Sequence, residues 1–207
     1  MLIFSDSHGD SERMKYIIDE VHPDAEYVLH LGDFDRDIEE LAPLWQRKTF
    51  VSITGNCDRY FRYVPASELT RTLDIGGLRI FMCHGDRQGV KSTGDAVLSV
   101  IAAEKRAEIA LYGHTHVASL RFVRVAGNEG EAVAFDDSSL DAEAPVLRYG
   151  ECVRYVRRRR GEGILILNPG SMSSPRGGGD ISDMPCYATL TVHCDGTYTV
   201  GIYTAPF

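Results

Sequence analysis

Five apolar runs in this chain each lead into a short loop that carries glycine and a side chain able to hold a metal ion. The loops are Asp6-Ser7-His8-Gly9, Gly32-Asp33, Gly55-Asn56, His84-Gly85 and Gly113-His114-Thr115-His116. In α/β folds the carboxyl ends of the strands open on one crevice, so loops distant in sequence can meet there. The last loop is the most demanding. Residues two apart in extended backbone project to the same side, so His114 and His116 are expected to converge on one place. A single His-x-His is equally well a pair of surface histidines, but five such loops together point to a site.

Apolar spacing predicts what lies between the loops. Leu2 to Ser5, Tyr27 to Leu31 and Phe50 to Thr54 read as strands. Ser11 to Val21 reads as a helix with Met14, Ile17, Ile18 and Val21 on one face, and Ile38 to Trp45 as a shorter one. Alternating strands and helices imply a parallel βαβ core. The pattern then changes. Leu69 to Ile75 and Leu78 to Met82 flank Gly76-Gly77, a hairpin signal with a two-residue turn. Gly94 to Arg106 predicts a third helix, and Ile109 to Tyr112 the strand that delivers the two histidines. Hairpin-like strands are expected over Leu120 to Val125, Cys152 to Arg157, Ile164 to Leu167, Tyr187 to Val192 and Tyr198 to Tyr203. Helical units followed by antiparallel ribbons predict two sheets with helices outside.

Residues 126 to 150, rich in Gly, Asp, Glu, Ser and Ala, read as an acidic loop or protruding arm. Arg157 to Arg160 have the composition of a phosphate patch. On a strand they would alternate faces, however, and the acidic stretch upstream can neutralise them.

The 207 residues fit a single domain with a substantial core. A formal net charge of -8 argues against a dedicated nucleic-acid binder, which needs a broad basic face. Positive charge at the site must then be local or brought by metal ions. The five cysteines, Cys57, Cys83, Cys152, Cys186 and Cys194, are odd in number and contain no CxxC pair. That supports neither a disulfide framework nor a zinc knuckle, and fits a reducing cytoplasm. No signal-peptide pattern opens the chain and no run approaches the roughly 18 apolar residues of a membrane span. A cytoplasmic protein without a membrane partner is expected.

The loops supply two aspartates, one asparagine and four histidines: Asp6, Asp33, Asn56, His8, His84, His114 and His116. Mixed oxygen and imidazole donors suit Mn, Fe, Zn or Ni better than Ca or Mg. Seven side chains are too many for one ion with an open position, so two ions sharing a carboxylate are expected. Two divalent ions against two aspartates leave a surplus of about +2, which favours an anionic substrate such as a phosphate ester. Two ions about 3.5 to 4 Å apart acidify a bridging water and clamp a phosphoryl group.

The ordered set DxH, GD, GNxD, HG and GHxH resembles the calcineurin-like metallophosphoesterase superfamily. The GNCD form, the size and the later Asn168-Pro169-Gly170-Ser171 resemble its small bacterial and archaeal phosphodiesterase branch, related to the retromer scaffold subunit. The resemblance runs from Asp6 to Ser171. It implies a four-layer α-β-β-α sandwich of two mixed β-sheets flanked by helices. It also implies one metal on Asp6, His8, Asp33 and His116, and a second on Asp33, Asn56, His84 and His114. Asp33 would bridge them, and a bridging hydroxide would attack a small phosphate ester. Manganese is the first metal expected, with Ni, Fe or Zn as alternatives.

Two departures stand out. Many relatives have histidine after the metal-binding asparagine, where it can protonate the leaving oxygen; here Cys57 stands there, a poorer acid near neutrality. Asp33 is followed by Phe34-Asp35-Arg36-Asp37 rather than the continuation found in protein Ser/Thr phosphatases, which disfavours that class. The stretch from about Ser119 to Gly161 is longer than in compact relatives, and an inserted arm there could serve homodimerisation or act as a lid. Elsewhere His30 is expected to be a buried, satisfied histidine, and Asn168 and Ser171 to shape a turn beside the site. Arg59 and Arg87 are expected to be surface arginines. The rival readings are a scaffold with a vestigial site, which would bind no transition metal, and a nuclease, which would show salt-steep DNA binding.

Overall fold

Strand β1 (Leu2–Phe4) shows how the layers arise. Alternate strand residues face opposite sides. Leu2 and Phe4 pack with Met14, Ile17, Ile18 and Val28 on one face, while Ile3 packs with Leu29, Leu31, Met82 and Leu111 on the other. A strand buried on both faces belongs to an inner layer. The computed structural model describes residues 1–34, 37–59, 64–126, 131–133, 150–176 and 183–206.

The further strands are β2 (Tyr27–His30), β3 (Thr49–Ser52), β4 (Thr70–Ile75), β5 (Leu78–Cys83), β6 (Ile109–Leu111), β7 (Ser119–Ala126) and β8 (Glu131–Val133). They are followed by β9 (Cys152–Arg159), β10 (Ile164–Asn168), β11 (Cys186–Val192) and β12 (Thr197–Thr204). The α-helices are α1 (Ser11–Tyr16), α2 (Asp37–Leu41), α3 (Val90–Thr93) and α4 (Ala96–Glu104). One six-stranded sheet has the order β3-β2-β1-β11-β12-β9, the other β4-β5-β6-β10-β7-β8. In the first, β1, β2 and β3 are parallel and the rest antiparallel. In the second, β5, β6 and β10 are parallel and the flanking pairs antiparallel.

Both sheets are therefore mixed. Ile80, Met82, Ile109, Leu111, Leu165 and Leu167 of the second meet Ile3, Leu29, Leu31 and Ile53 of the first in one inner core. Helices cover the outer faces. Phe34, Ile38, Leu41 and Trp45 seal the first sheet with the α1 residues, and Val90, Leu98 and Ala102 seal the second. The fold is the α-β-β-α sandwich of two mixed sheets that the resemblance implied.

Several elements differ from the apolar pattern. The helix expected over Ser11 to Val21 is α-helical only to Tyr16 and continues as a π-turn over Ile17–Val21. The short helix α3 was not expected, because Val90 is the only buried residue it offers. Residues 164–168 pair antiparallel with β7, as a ribbon strand would, but they are not joined to it by a hairpin turn. Strand β10 runs parallel to β6, and its unbroken apolar run is that of a central, doubly covered strand. The hairpin at Gly76-Gly77 is as read: Ile75 faces Leu78, and φ values of 59° and 81° supply the left-handed pair such a turn needs.

The expected arm begins and ends in sheet. Its first residues are β7 and β8, and Cys152–Arg159 forms the edge strand β9 of the opposite sheet. Residues 127–130 and 134–149 lie outside the described residues. The arginine run is tied into the structure: Arg157 pairs with Asp195 at 2.6 Å, Arg158 lies buried over the Phe122 ring, and Arg160 donates to the Gly77 carbonyl at 2.7 Å.

Leu111 sits between the sheets, just before the histidine loop, with no exposed surface. Leu111→Ala is expected to lower the unfolding free energy by about 2 to 5 kcal/mol, read from urea denaturation. Wild-type stability in that variant would show that the inter-sheet layer is not the core.

Candidate metal centre

Backbone conformation marks the site first. Non-glycine residues with positive φ are uncommon, and in the described chain they are Asp6, His8, Asp33, Arg106, His114 and His116. All but Arg106 are candidate ligands. Each such residue costs on the order of 1 kcal/mol, and strain of this kind gathers where function requires it.

Loops from both sheets meet here. Asp6, Asp33 and Asn56 follow β1, β2 and β3 of the first sheet; His84 follows β5, and His114 and His116 follow β6 of the second. Main-chain bonds fasten them: Asp6 N–H donates to the Gly32 carbonyl at 3.0 Å, His8 N–H to that of Asp33 at 3.1 Å, and Gly113 N–H to that of His84 at 3.0 Å. Gly55 and Gly113 allow this crowding. A Cβ on Gly55 would overlap the Asp33 carboxylate, and one on Gly113 the Ser5 hydroxyl.

The two central carboxylates are buried, Asp6 at 0% and Asp33 at 2% exposure. Asp6 Oδ2 accepts from the Ser5 hydroxyl at 2.5 Å and from His114 N–H at 3.0 Å. Its Oδ1 lies 3.1 Å from His116 Nε2 yet makes no hydrogen bond, a buried acceptor left without a donor. Asp33 Oδ1 accepts from Cys57 N–H at 2.8 Å, while Oδ2 stands 3.4 Å from His84 Nε2.

The histidines explain the orphaned oxygen. His84 Nδ1 donates to the Leu31 carbonyl at 2.7 Å, so its Nε2 faces Asn56 Oδ1 at 3.2 Å and Asp33 Oδ2 at 3.4 Å. His116 Nδ1 likewise donates to the Ser174 carbonyl at 2.7 Å and turns Nε2 toward Asp6. A neutral ring with Nδ1 protonated presents a lone pair at Nε2, and a lone pair facing oxygen lone pairs is repulsive unless a cation lies between them. Such outer-nitrogen hydrogen bonds are how metal-ligating histidines are oriented.

Without metal, a proton has to take that place. Burial alone would lower the pKa of His84, but Asp33 and Asp6 outweigh it and raise it. His116 is raised by its contact with Asp6. Burial pushes both carboxyls up, yet Asp6, beside His116 and His84, and Asp33, beside His84 and Cys57, end below the ordinary range.

Three groups have donor atoms all within 4.8 Å of one another: Asp6, His8 and His116; Asp6, Asp33 and His84; His8, Asp33 and Cys57. Asp6 and Asp33 each belong to two groups, and the mixed carboxylate and imidazole donors fit a divalent-cation site. Cys57 faces the same space. His114 and His116 both have left-handed rather than extended backbone, so the strand alternation used to aim them does not apply here. The His116 ring lies 5.4 Å from that of His8, whereas His114 packs edge-on to His84 at 5.1 Å, with its Nδ1 3.4 Å from Lys91 Nζ. Burial, His84 and Lys91 push the His114 ring down to about 4.

The surrounding residues include some that the sequence did not single out. Asp58 accepts from the N–H groups of Asp33, Phe34 and Gly55, at 2.7, 3.0 and 2.7 Å, and so joins two ligand loops; the final Asp of GNxD was the available signal. Arg59 is engaged by Asp86 and is not free on the surface. Asn168 donates to the Gly113 carbonyl at 2.9 Å and Ser171 to that of Asp6 at 2.8 Å, which is the turn-shaping role expected. His30 is buried and satisfied, with Nε2 2.8 Å from the Ser7 hydroxyl and Nδ1 accepting from Gly32 N–H at 3.2 Å.

Buried carboxylates faced by oriented imidazoles, at the common end of two mixed sheets, define a metal-dependent hydrolase of the α-β-β-α class. The model for the calcineurin-like phosphoesterase superfamily domain matches residues 1–195, and the chain belongs to that superfamily. It is thus a metal-dependent phosphoesterase. Probable metallophosphoesterase YsnB of Bacillus subtilis (strain 168) is 28% identical over 205 residues, covering 98% of this chain and 89% of that protein. A conserved uncharacterised protein from Streptococcus pneumoniae TIGR4, described as a predicted phosphoesterase, is 26% identical with a TM-score of 0.57 over 91% of this chain and 80% of its own. Zinc-complexed Vps29 from Entamoeba histolytica shares the fold at 17% identity, with a TM-score of 0.59 over 98% of this chain and 91% of its own. Among the described residues no helix is long and apolar enough to cross a membrane.

Burial pushes His30 down to about 3. Its folded pKa is depressed below the unfolded value of about 6.5, so its contribution is complete above that pH and is lost as pH falls toward the folded value. The stability difference between wild type and His30→Gln, both metal-free, is expected to shrink by about 1.4 kcal/mol per pH unit below about 6.5. Urea titrations at pH 7, 6 and 5 check this, and a constant difference would contradict it.

Proposed function

We propose that the protein is a dinuclear metal-dependent phosphodiesterase acting on small phosphate esters. The observation that supports two ions is that Asp6 and Asp33 are each shared between neighbouring ligand groups. Asp6, His8, Asp33 and His116 would hold one ion and Asp33, Asn56, His84 and His114 the other, drawn from Mn, Fe, Ni and Zn, with manganese the first to test. Such ions supply an acidified water and positive charge to offset that of the phosphoryl group.

The chain's own groups do the positioning. Leu31 and Ser174 carbonyls fix the rings of His84 and His116, and Asp58 fixes the loop of Asp33. Lys91, exposed beside His114, presents an ammonium to an entering anion. A cytoplasmic setting suits five thiols that form no disulfide.

Asp33→Ala is expected to abolish manganese-stimulated hydrolysis of an aryl phosphodiester by about 100-fold or more, without unfolding the chain. Activity that survives the substitution, or that needs no divalent metal, would overturn the reading. A panel of monoesters, diesters and nucleotides with Mn, Ni, Zn and Mg sets the substrate class.

Cys57 governs the leaving group. With reference pKa values of about 8.5 for a thiol and about 6.5 for imidazole, it is the poorer proton donor near neutrality. The enzyme should therefore prefer esters with good leaving groups, such as aryl diesters. Cys57→His is expected to raise turnover of alkyl esters relative to aryl esters, and an unchanged ratio would remove this role.

A further inference from the structure

We propose that Arg59 and Asp86 form a clamp between the two sheets that keeps Asn56 and His84 at their working separation, making Arg59 a positioning residue for one ion only. That ion is the one assigned to Asp33, Asn56, His84 and His114. The inference rests on the two-ion reading above and deepens it by naming what governs the second ion.

The need for a clamp follows from where these ligands stand. Asn56 follows β3 of the first sheet and His84 follows β5 of the second, so no ladder of main-chain bonds fixes the distance between the two loops. The apolar core between the sheets sets that distance only at the level of the strands.

A side-chain bridge acts above the core. Arg59 Nη2 pairs with the Asp86 carboxylate, and the two side chains are only 19% and 14% exposed. An ion pair so far out of water is screened much less than an exposed one. Each partner is tied closely to a ligand. Arg59 ends the 3₁₀ turn Cys57–Arg59, and its N–H donates to the Asn56 carbonyl at 3.4 Å. Asp86 stands two residues beyond His84, and its carbonyl accepts from Gly89 N–H at 3.2 Å in the turn that opens α3. That helix carries Lys91, whose Nζ lies 3.4 Å from His114 Nδ1. The clamp thus reaches Asn56 and His84 directly, and the surroundings of His114 at one remove.

The other nitrogen of the guanidinium gives a second observation. Arg59 Nη1 is buried and makes no hydrogen bond. A buried donor without an acceptor is unfavourable, and a long side chain free to choose would turn it to water. The placement of this guanidinium is therefore set by its reach to Asp86 and not by the needs of its own donors.

Ligands of the first ion are held by other means. His116 is oriented by the Ser174 carbonyl, and Asp6 accepts from the Ser5 hydroxyl and from His114 N–H. Loss of the clamp should be felt at the second ion and spared at the first, whereas an ion pair with a merely structural role would weaken both alike.

Manganese titrated into the metal-free full chain, followed by electron paramagnetic resonance, tests the proposal. Wild type should take up two ions and give the spectrum of a coupled pair. In Arg59→Gln the second ion should bind about 10- to 100-fold more weakly, the range seen when a group that orients a ligand is removed, with the first ion unchanged. The spectrum should then be that of an isolated ion. Arg59→Lys, which keeps a cation for Asp86, should recover part of the lost affinity. The double variant Arg59→Gln/Asp86→Asn leaves no buried charge stranded, so it separates the clamp from damage to the fold, and it should show the same loss of the second ion. Wild-type affinity for both ions in the double variant, or equal weakening of both, would overturn the proposal and leave the two-ion reading standing. A wild-type chain that binds a single ion would remove the two-ion reading and the clamp with it.

Discussion

Two carboxylates, Asp6 and Asp33, lie almost wholly out of water and face ring nitrogens whose opposite sides are already committed to backbone carbonyls. Burying a charge is unfavourable unless it is compensated, and here the compensation has to be positive. The carboxylates raise the proton affinity of His84 and His116 in that direction, and a divalent ion would supply the positive charge directly. Much of the surrounding structure keeps this opposition in place. The left-handed residues turn the loops inward, the glycines at 55 and 113 let backbone and carboxylate touch, and Asp58 locks the Asp33 loop onto Gly55.

The sandwich makes the arrangement possible because neither sheet owns the site. The oxygen donors Asp6, Asp33 and Asn56 come from the first sheet, whereas His84, His114 and His116 come from the second. Ile3 and Leu29 on one side, and Met82 and Leu111 on the other, hold the two sets at a fixed distance. Packing between the sheets thus sets the spacing of the candidate ligands as well as stability. This links the inner core to function through distance and leaves the outer helical layers with the simpler task of covering apolar faces.

The sequence revealed the parts of this best where a chemical type recurred. Asp6, His8, Asp33, Asn56, His84, His114 and His116 stand out because each ends an apolar run, and the parallel strands behind the first three loops were legible from apolar spacing. The parts decided by tertiary contact were not. Nothing in Ile164 to Leu167 distinguishes a hairpin strand from the parallel neighbour of β6, and nothing in Cys152–Arg159 says that it crosses to the other sheet. That the His116 ring neighbours His8 and the His114 ring neighbours His84 goes with left-handed backbone at both residues, which an alternation rule cannot foresee. Asp58 hid behind its neighbour, because its role is to hold main-chain N–H groups and not to face the site.

The account depends on a cation lying between the inner nitrogens and the carboxylates. Nitrogen-15 NMR of the histidine rings, recorded metal-free and with diamagnetic zinc, tests this most directly. The expected result is that Nε2 of His84 and His116 shifts on zinc addition and no longer titrates, while their Nδ1–H groups stay bound to the Leu31 and Ser174 carbonyls. Rings that titrate identically with and without zinc would contradict it.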